Sequence, residues 1–154
     1  MSGEHDAQVE RLEREVSLLL RRSRGVLREL AARIHPDADA GAYAVLLAIA
    51  RAAPVRLVAL AEEFGLDKST MSRQVGSLLR LGLVQRRPDP LDGRAHLLEL
   101  TADGRRRLGE VSQARHEVWR DRLASWSTAE IAALADGLTR LATALPAPER
   151  PGSP

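Results

Sequence analysis

Ser69, Thr70, Arg73, Gln74 and Ser77 recur at intervals of three and four, so a helix through them carries hydroxyl, amide and guanidinium groups on one side. These groups can hydrogen-bond base edges and phosphates of a nucleic acid. Lys68 precedes the set and Arg80 follows it. Ser69 and Thr70 fall at the start of the helix, where free backbone N–H groups also favour a phosphate. An ordinary solvated face uses the same residue types, so the neighbouring segments decide between the two readings.

Those neighbours are basic. Leu83 to Arg87 suits a short strand, Pro88 to Gly93 is dense in turn formers, and Ala95 to Leu100 is a second strand with Leu98 and Leu100 on one face. The resulting hairpin carries Arg86 and Arg87 on its first arm and Arg94 near its tip. Asp92, two residues before Arg94, can hold that guanidinium in one orientation through a charge-assisted pair. An oriented Arg on a hairpin tip suits a narrow minor groove, where the negative potential is strongest.

The polar helix needs a partner to fix it. Leu57, Leu60, Ala61 and Phe64 give a preceding helix one apolar face. Gly65 follows, where a left-handed residue closes a helix without steric cost, and Asp67 can cap the next helix through its carboxylate. Met71, Val75, Leu78 and Leu79 turn the opposite side of that helix to the core. Two short helices joined by a Gly-containing turn make a helix-turn-helix, and Val55-Arg56-Leu57 can add a third short strand to the hairpin.

The run Leu60 to Arg73, with Leu81-Gly82-Leu83-Val84, Arg86-Arg87, Asp89-Pro90-Leu91-Asp92-Gly93-Arg94 and Leu100-Thr101, closely resembles the MarR family of winged-helix transcription regulators. The resemblance is strongest over residues 43–108 and weaker in the flanks. It implies a homodimer on a pseudo-palindromic double-stranded operator, with recognition helices in successive major grooves, wings in the minor groove, and often a small-molecule effector. The sequence departs at Gly93, where the family often carries a second basic residue.

The flanks are helical. Val9, Leu12, Val16, Leu19, Leu27, Leu30 and Ile34 form a long apolar stripe from Ala7 to Pro36, after a loose stretch over residues 1–6. A first helix of that length exceeds what one small winged lobe can cover, which points to a partner subunit. Residues 42–53 form an Ala-rich second helix. Thr101 can cap a helix from Ala102, whose Arg105, Arg106 and Arg107 could lie beside a duplex backbone. Ser127-Thr128-Ala129-Glu130 is a capping box for a last helix with a stripe of Ile131, Leu134, Leu138, Leu141 and Leu145. Paired with the first helix across a two-fold axis, that stripe would complete a dimer.

Composition narrows the function. Residues 68–107 hold nine basic and four acidic residues, a local charge of +5 in a chain of net charge +2, which fits a nucleic-acid face. With no Cys, disulfides and thiolate chemistry are excluded. His5, His35, His96 and His116 form no metal-binding pair, and neither a phosphate-cradling Gly loop nor a nucleophile elbow is present. No catalytic residue, metal or cofactor is therefore expected, and the chain does not read as an enzyme. No apolar run approaches the ~18–20 residues of a membrane span, and Glu4, Asp6 and Glu10 replace the basic start of a signal peptide, so a cytoplasmic protein without membrane contact is expected.

The expected architecture is mainly α with a small β-hairpin wing: a winged helix-turn-helix lobe over residues 43–101, dimerisation helices over 7–36 and 102–145, and a disordered tail over 146–154, all in one subunit of 154 residues. The expected DNA-binding residues are Lys68, Ser69, Thr70, Arg73, Gln74, Ser77, Arg86, Arg87, Asp92 and Arg94. A small aromatic or anionic effector would bind near His35, Tyr43, His116 and Trp119, on the helices beside the lobe. The competing reading is a dimeric protein–protein adaptor built on the same winged fold, since fold alone does not fix function. Salt-dependent binding to duplex DNA separates the two.

Overall fold

Acidic and apolar residues near the N-terminus build one long first helix, α1, over Ser2–Ile34, with Glu4 in its first turn facing the positive end of the helix dipole. It starts earlier than the apolar stripe predicts, because Ser2 to Asp6 contains no residue that stops a helix other than the tolerated Gly3. Its 33 residues make it about 50 Å long, and it continues through Gly25 without a break. The computed structural model describes residues 2–144, so Leu145 and the tail expected over 146–154 lie outside the described residues.

Asp39 caps α2 (Ala40–Ala52) by accepting from the Ala42 N–H at 2.7 Å. Tyr43, Leu46 and Ile49 on one side and Ala42 and Val45 beside them are buried, which makes α2 the central helix, packed on α1, α4 and the sheet. A two-residue strand β1 (Val55–Arg56) leads into α3 (Leu57–Phe64) and then α4 (Lys68–Arg80). Gly65, at φ 61°, closes α3, and its amide and that of Leu66 cap the carbonyls at the end of the helix. Met71, Val75 and Leu78 of α4 are buried, as their spacing predicts.

The wing pairs β2 (Val84–Asp89) with β3 (Asp92–Leu100), and β1 adds to the far side of β3, giving the antiparallel order β1-β3-β2. Val55 faces Leu98 and Val84 faces Leu100, so the inward residues meet under α2 and α4. The strands run further than expected. Only Pro90 and Leu91 are left as the turn, and Pro88 is accommodated because β2 is an edge strand.

Two more helices follow, α5 (Ala102–Arg122) and α6 (Thr128–Ala144). The Ser127–Glu130 capping box forms: Glu130 accepts from the Ser127 N–H at 2.8 Å and Ser127 Oγ accepts from the Glu130 N–H at 3.2 Å. α6 has no buried residue, and its Ile131, Leu134 and Leu138 are exposed, as are Val9, Leu12, Leu19 and Leu20 of α1. No helix among the described residues is long and apolar enough to cross a membrane.

Candidate nucleic-acid interface

Asp67 organises the start of α4. Its Oδ1 accepts from the Thr70 N–H at 2.9 Å and from Ser69 Oγ at 2.5 Å, while Oδ2 accepts from Thr70 Oγ1 at 2.6 Å. The Ser69 hydroxyl, followed by the Thr70 hydroxyl and amide, holds the carboxyl far below the ordinary carboxylate range. With their protons engaged by Asp67, both hydroxyls present lone pairs outward, and Asp67 already fills the anion site at the helix N-terminus. Arg73 Nη2 donates to Thr70 Oγ1 at 3.2 Å, which continues the chain Arg73–Thr70–Asp67 along the exposed surface.

The expected reading face is brought together unevenly. Lys68, Ser69 and Arg73 are exposed, whereas Thr70, Gln74 and Ser77 are half-buried. The Gln74 amide lies against the first turn of α2: a Cβ built on Gly41 would stand 2.9 Å from Gln74 Nε2. Gln74 therefore does not stand free on the outside, because the first turn of α2 covers it, and Ser77 is half-buried.

On the wing, Arg86 and Arg94 are exposed, and their side chains make no hydrogen bond or ion pair among the described residues. Arg87 lies 3.6 Å from Glu99, whose other oxygen accepts from Gln85 at 2.8 Å. Asp92 does not orient the Arg94 guanidinium as expected; its Oδ1 accepts from the Arg94 backbone N–H at 3.0 Å. The two-residue spacing is that of a side-chain-to-backbone turn, and it fixes the chain rather than the charge.

Asp89 went unassigned in the sequence. Its side chain is 4% exposed, its Oδ2 accepts from Arg56 Nε at 2.7 Å and lies 2.5 Å from Nη2, and its Oδ1 accepts from the Leu91 N–H at 2.9 Å. The Leu91 amide, followed by Arg56, holds its carboxyl below the usual range against the effect of burial. The Asp-Pro-Leu turn signal could have suggested the Leu91 bond. Nothing local points to Arg56, which is 33 positions away.

The three arginines at the start of α5 are occupied within the subunit, contrary to expectation. Arg105 donates to the Leu100 carbonyl at 2.8 Å, Arg106 pairs with Asp103 and Glu110, and Arg107 binds Asp103 at 2.7 Å and the Ile34 carbonyl at 3.1 Å. Thr101 caps this helix through the Gly104 N–H at 2.9 Å and donates to the Gly82 carbonyl at 2.6 Å. A Cβ on Gly104 would stand 2.0 Å from the Leu83 carbonyl oxygen, so only glycine allows α5 to approach the foot of the wing this closely.

The four residues expected around an effector do not converge. Tyr43 is buried, with its hydroxyl 3.4 Å from Arg115 Nη1. His35 is half-buried at the end of α1, where its Nδ1 accepts from the Asp37 N–H at 3.1 Å, and His116 is exposed. Trp119 is 53% exposed and alone of the four lines a groove of about 490 Å³ between α1 and α5. The burial of Tyr43 follows from the central position of α2, which its sequence does not disclose.

A family model described as the MarR family matches residues 37–95. The HTH-type transcriptional regulator YxaD of Bacillus subtilis (strain 168) is 34% identical over 122 residues, covering 79% of this chain and 84% of the relative. The solved MarR family transcription regulator SP03579 superposes with a TM-score of 0.79 at 20% identity, covering 93% of each chain. The transcriptional regulator BldR from Sulfolobus solfataricus does so at 0.70 and 22% identity, covering 90% of this chain and 96% of that one. These two structures share the fold, a winged helix-turn-helix between long helices. The family model and the YxaD match place this chain in the MarR family of transcriptional regulators.

Proposed function

We propose that the protein is a homodimeric, sequence-specific duplex-DNA-binding repressor whose hold on its operator is released by a small molecule. The observation that carries this reading is the exposed start of α4: Lys68, Ser69 and Arg73 are not covered by the protein's own chain, and a pre-formed hydrogen-bond chain holds Arg73 in place. Arg73 reads a base edge, Ser69 and Thr70 offer acceptors to base amino groups, and Lys68, Arg86 and Arg87 neutralise phosphates. Arg94 enters the minor groove from a loop that Asp92 shapes. Gln74 reaches the duplex only if its side chain turns away from α2, and Ser77 contributes from a half-buried position.

The uncovered apolar residues of α1 and α6 support a two-fold partner, which would set two α4 helices about one turn, ~34–36 Å, apart. The groove between α1 and α5 combines Val26, Val118 and Trp119 with Arg22 and Arg122, a composition suited to a small aromatic anion. Such a ligand releases DNA only if it prefers one spacing of the reading heads over another.

The test is selection of bound sequences from random duplexes. The expected result is an enriched inverted repeat whose affinity falls steeply with salt and drops further with Arg73→Ala. Binding without enrichment, or insensitive to salt, would favour a protein–protein adaptor instead.

A further inference from the structure

We infer that Arg56 and Asp89 fix the pitch of the wing against the helix-turn-helix and so are positioning residues for the minor-groove contact of Arg94. The inference rests on the DNA-binding reading above. Arg56 is the last residue of β1 and directly precedes α3, so its backbone belongs to the reading lobe. Asp89 is the last residue of β2, where the register of the hairpin breaks. The two strands are not neighbours: β3 lies between them, and the pair reaches across it.

The backbone alone leaves the outer wing loosely tied. β1 pairs with β3 only at Val55–Leu98 and Arg56–Leu97, so no ladder bond from the lobe reaches beyond Leu97 toward the tip. Beyond that point the Arg56–Asp89 pair joins the lobe to the hairpin through their side chains. It is doubly anchored, because the second Asp89 oxygen holds the Leu91 amide in the turn. Asp89 is also the only buried charged residue among those described, so its geometry is set by these partners rather than by water. A guanidinium donating through Nε and Nη2 to one shielded carboxylate restrains direction as well as distance.

The test is a set of double-mutant cycles on the selected duplex with the full chain. Arg94→Ala should cost roughly tenfold in affinity in the wild-type background but less than about twofold beside Asp89→Asn, because a wing that has lost its pitch no longer delivers Arg94. Arg73→Ala should cost the same factor in both backgrounds. Arg56→Gln, which breaks the pair from the lobe side, should reproduce the pattern and serves if Asp89→Asn does not fold. An Arg94→Ala cost that is unchanged beside either variant would overturn the positioning role and leave a merely structural pair. Failure of the wild-type chain to bind any duplex selectively would instead remove the DNA-binding reading, and this role with it.

Discussion

Arg73 donates to the side chain of Thr70, one turn back on the same helix, at 3.2 Å, and the Thr70 hydroxyl donates in turn to Asp67 at 2.6 Å. The guanidinium is thus held before any duplex arrives, and less side-chain freedom is lost on binding. Arg73→Ala should weaken binding to the selected duplex by about 1–3 kcal/mol, the range for a bidentate base contact. Thr70→Val, which keeps the shape and removes both bonds, should give a smaller loss with unchanged sequence preference. Fluorescence anisotropy titrations of both variants against matched and mismatched sites check this.

Two glycines of α5 should respond in opposite directions. Gly104→Ala drives a methyl group into the Leu83 carbonyl and should destabilise the protein by about 1–3 kcal/mol, as overpacking does. A Cβ on Gly109 meets nothing within 4 Å, so Gly109→Ala should stabilise by up to about 1 kcal/mol through helix propensity. Urea unfolding midpoints for the pair decide the point.

Stability should fall in acid in a defined window. Asp67, Asp89, Asp103 and Glu130 all have carboxyls held below their ordinary values by hydrogen bonds, to Ser69, the Leu91 amide, Arg107 and Ser127 respectively as the leading causes. A carboxylate depressed in the folded state contributes stability above its unfolded pKa of about 4 and loses it as the pH falls toward the folded value. Melting temperatures should therefore be level near neutrality and drop below about pH 4. Asp67→Asn, which still caps but carries no charge, should flatten that drop.

Gly93 offers a gain-of-function test. It lies in open space without a left-handed backbone, so a long side chain fits there. Gly93→Arg should leave the melting temperature unchanged, tighten duplex binding several-fold at low salt, and steepen the salt dependence by about 0.9 in log–log slope if it adds one phosphate contact.

The uncovered stripe of α6 predicts the assembly. Leu134→Glu or Leu138→Glu should shift the protein from dimer to monomer in sedimentation velocity and abolish high-affinity binding, while the winged lobe keeps its fold. A dimer that survives both substitutions would place the interface elsewhere.

Features written in local chemistry were legible in the sequence. The Asp67 cap, the left-handed Gly65, the alternation of Leu98 and Leu100 and the Ser127–Glu130 box each depend on residues a few positions apart. Features that depend on distant partners were not. Arg107 gives no local sign of the Ile34 carbonyl, 73 positions away, that takes up part of its charge. Gln74 looks exposed until α2 packs over it, and Arg56 gives no local sign of Asp89. Within the candidate interface, side-chain type was readable but partner choice was not.

The junction of Gly104 with Leu83, reinforced by Thr101 on Gly82, has a mechanical consequence. Backbone pressed against backbone leaves no slack, so α5 and the foot of the wing must turn as one lever. A tilt of α5 at this junction would carry the foot of the hairpin with it, about a residue that has no side chain to yield.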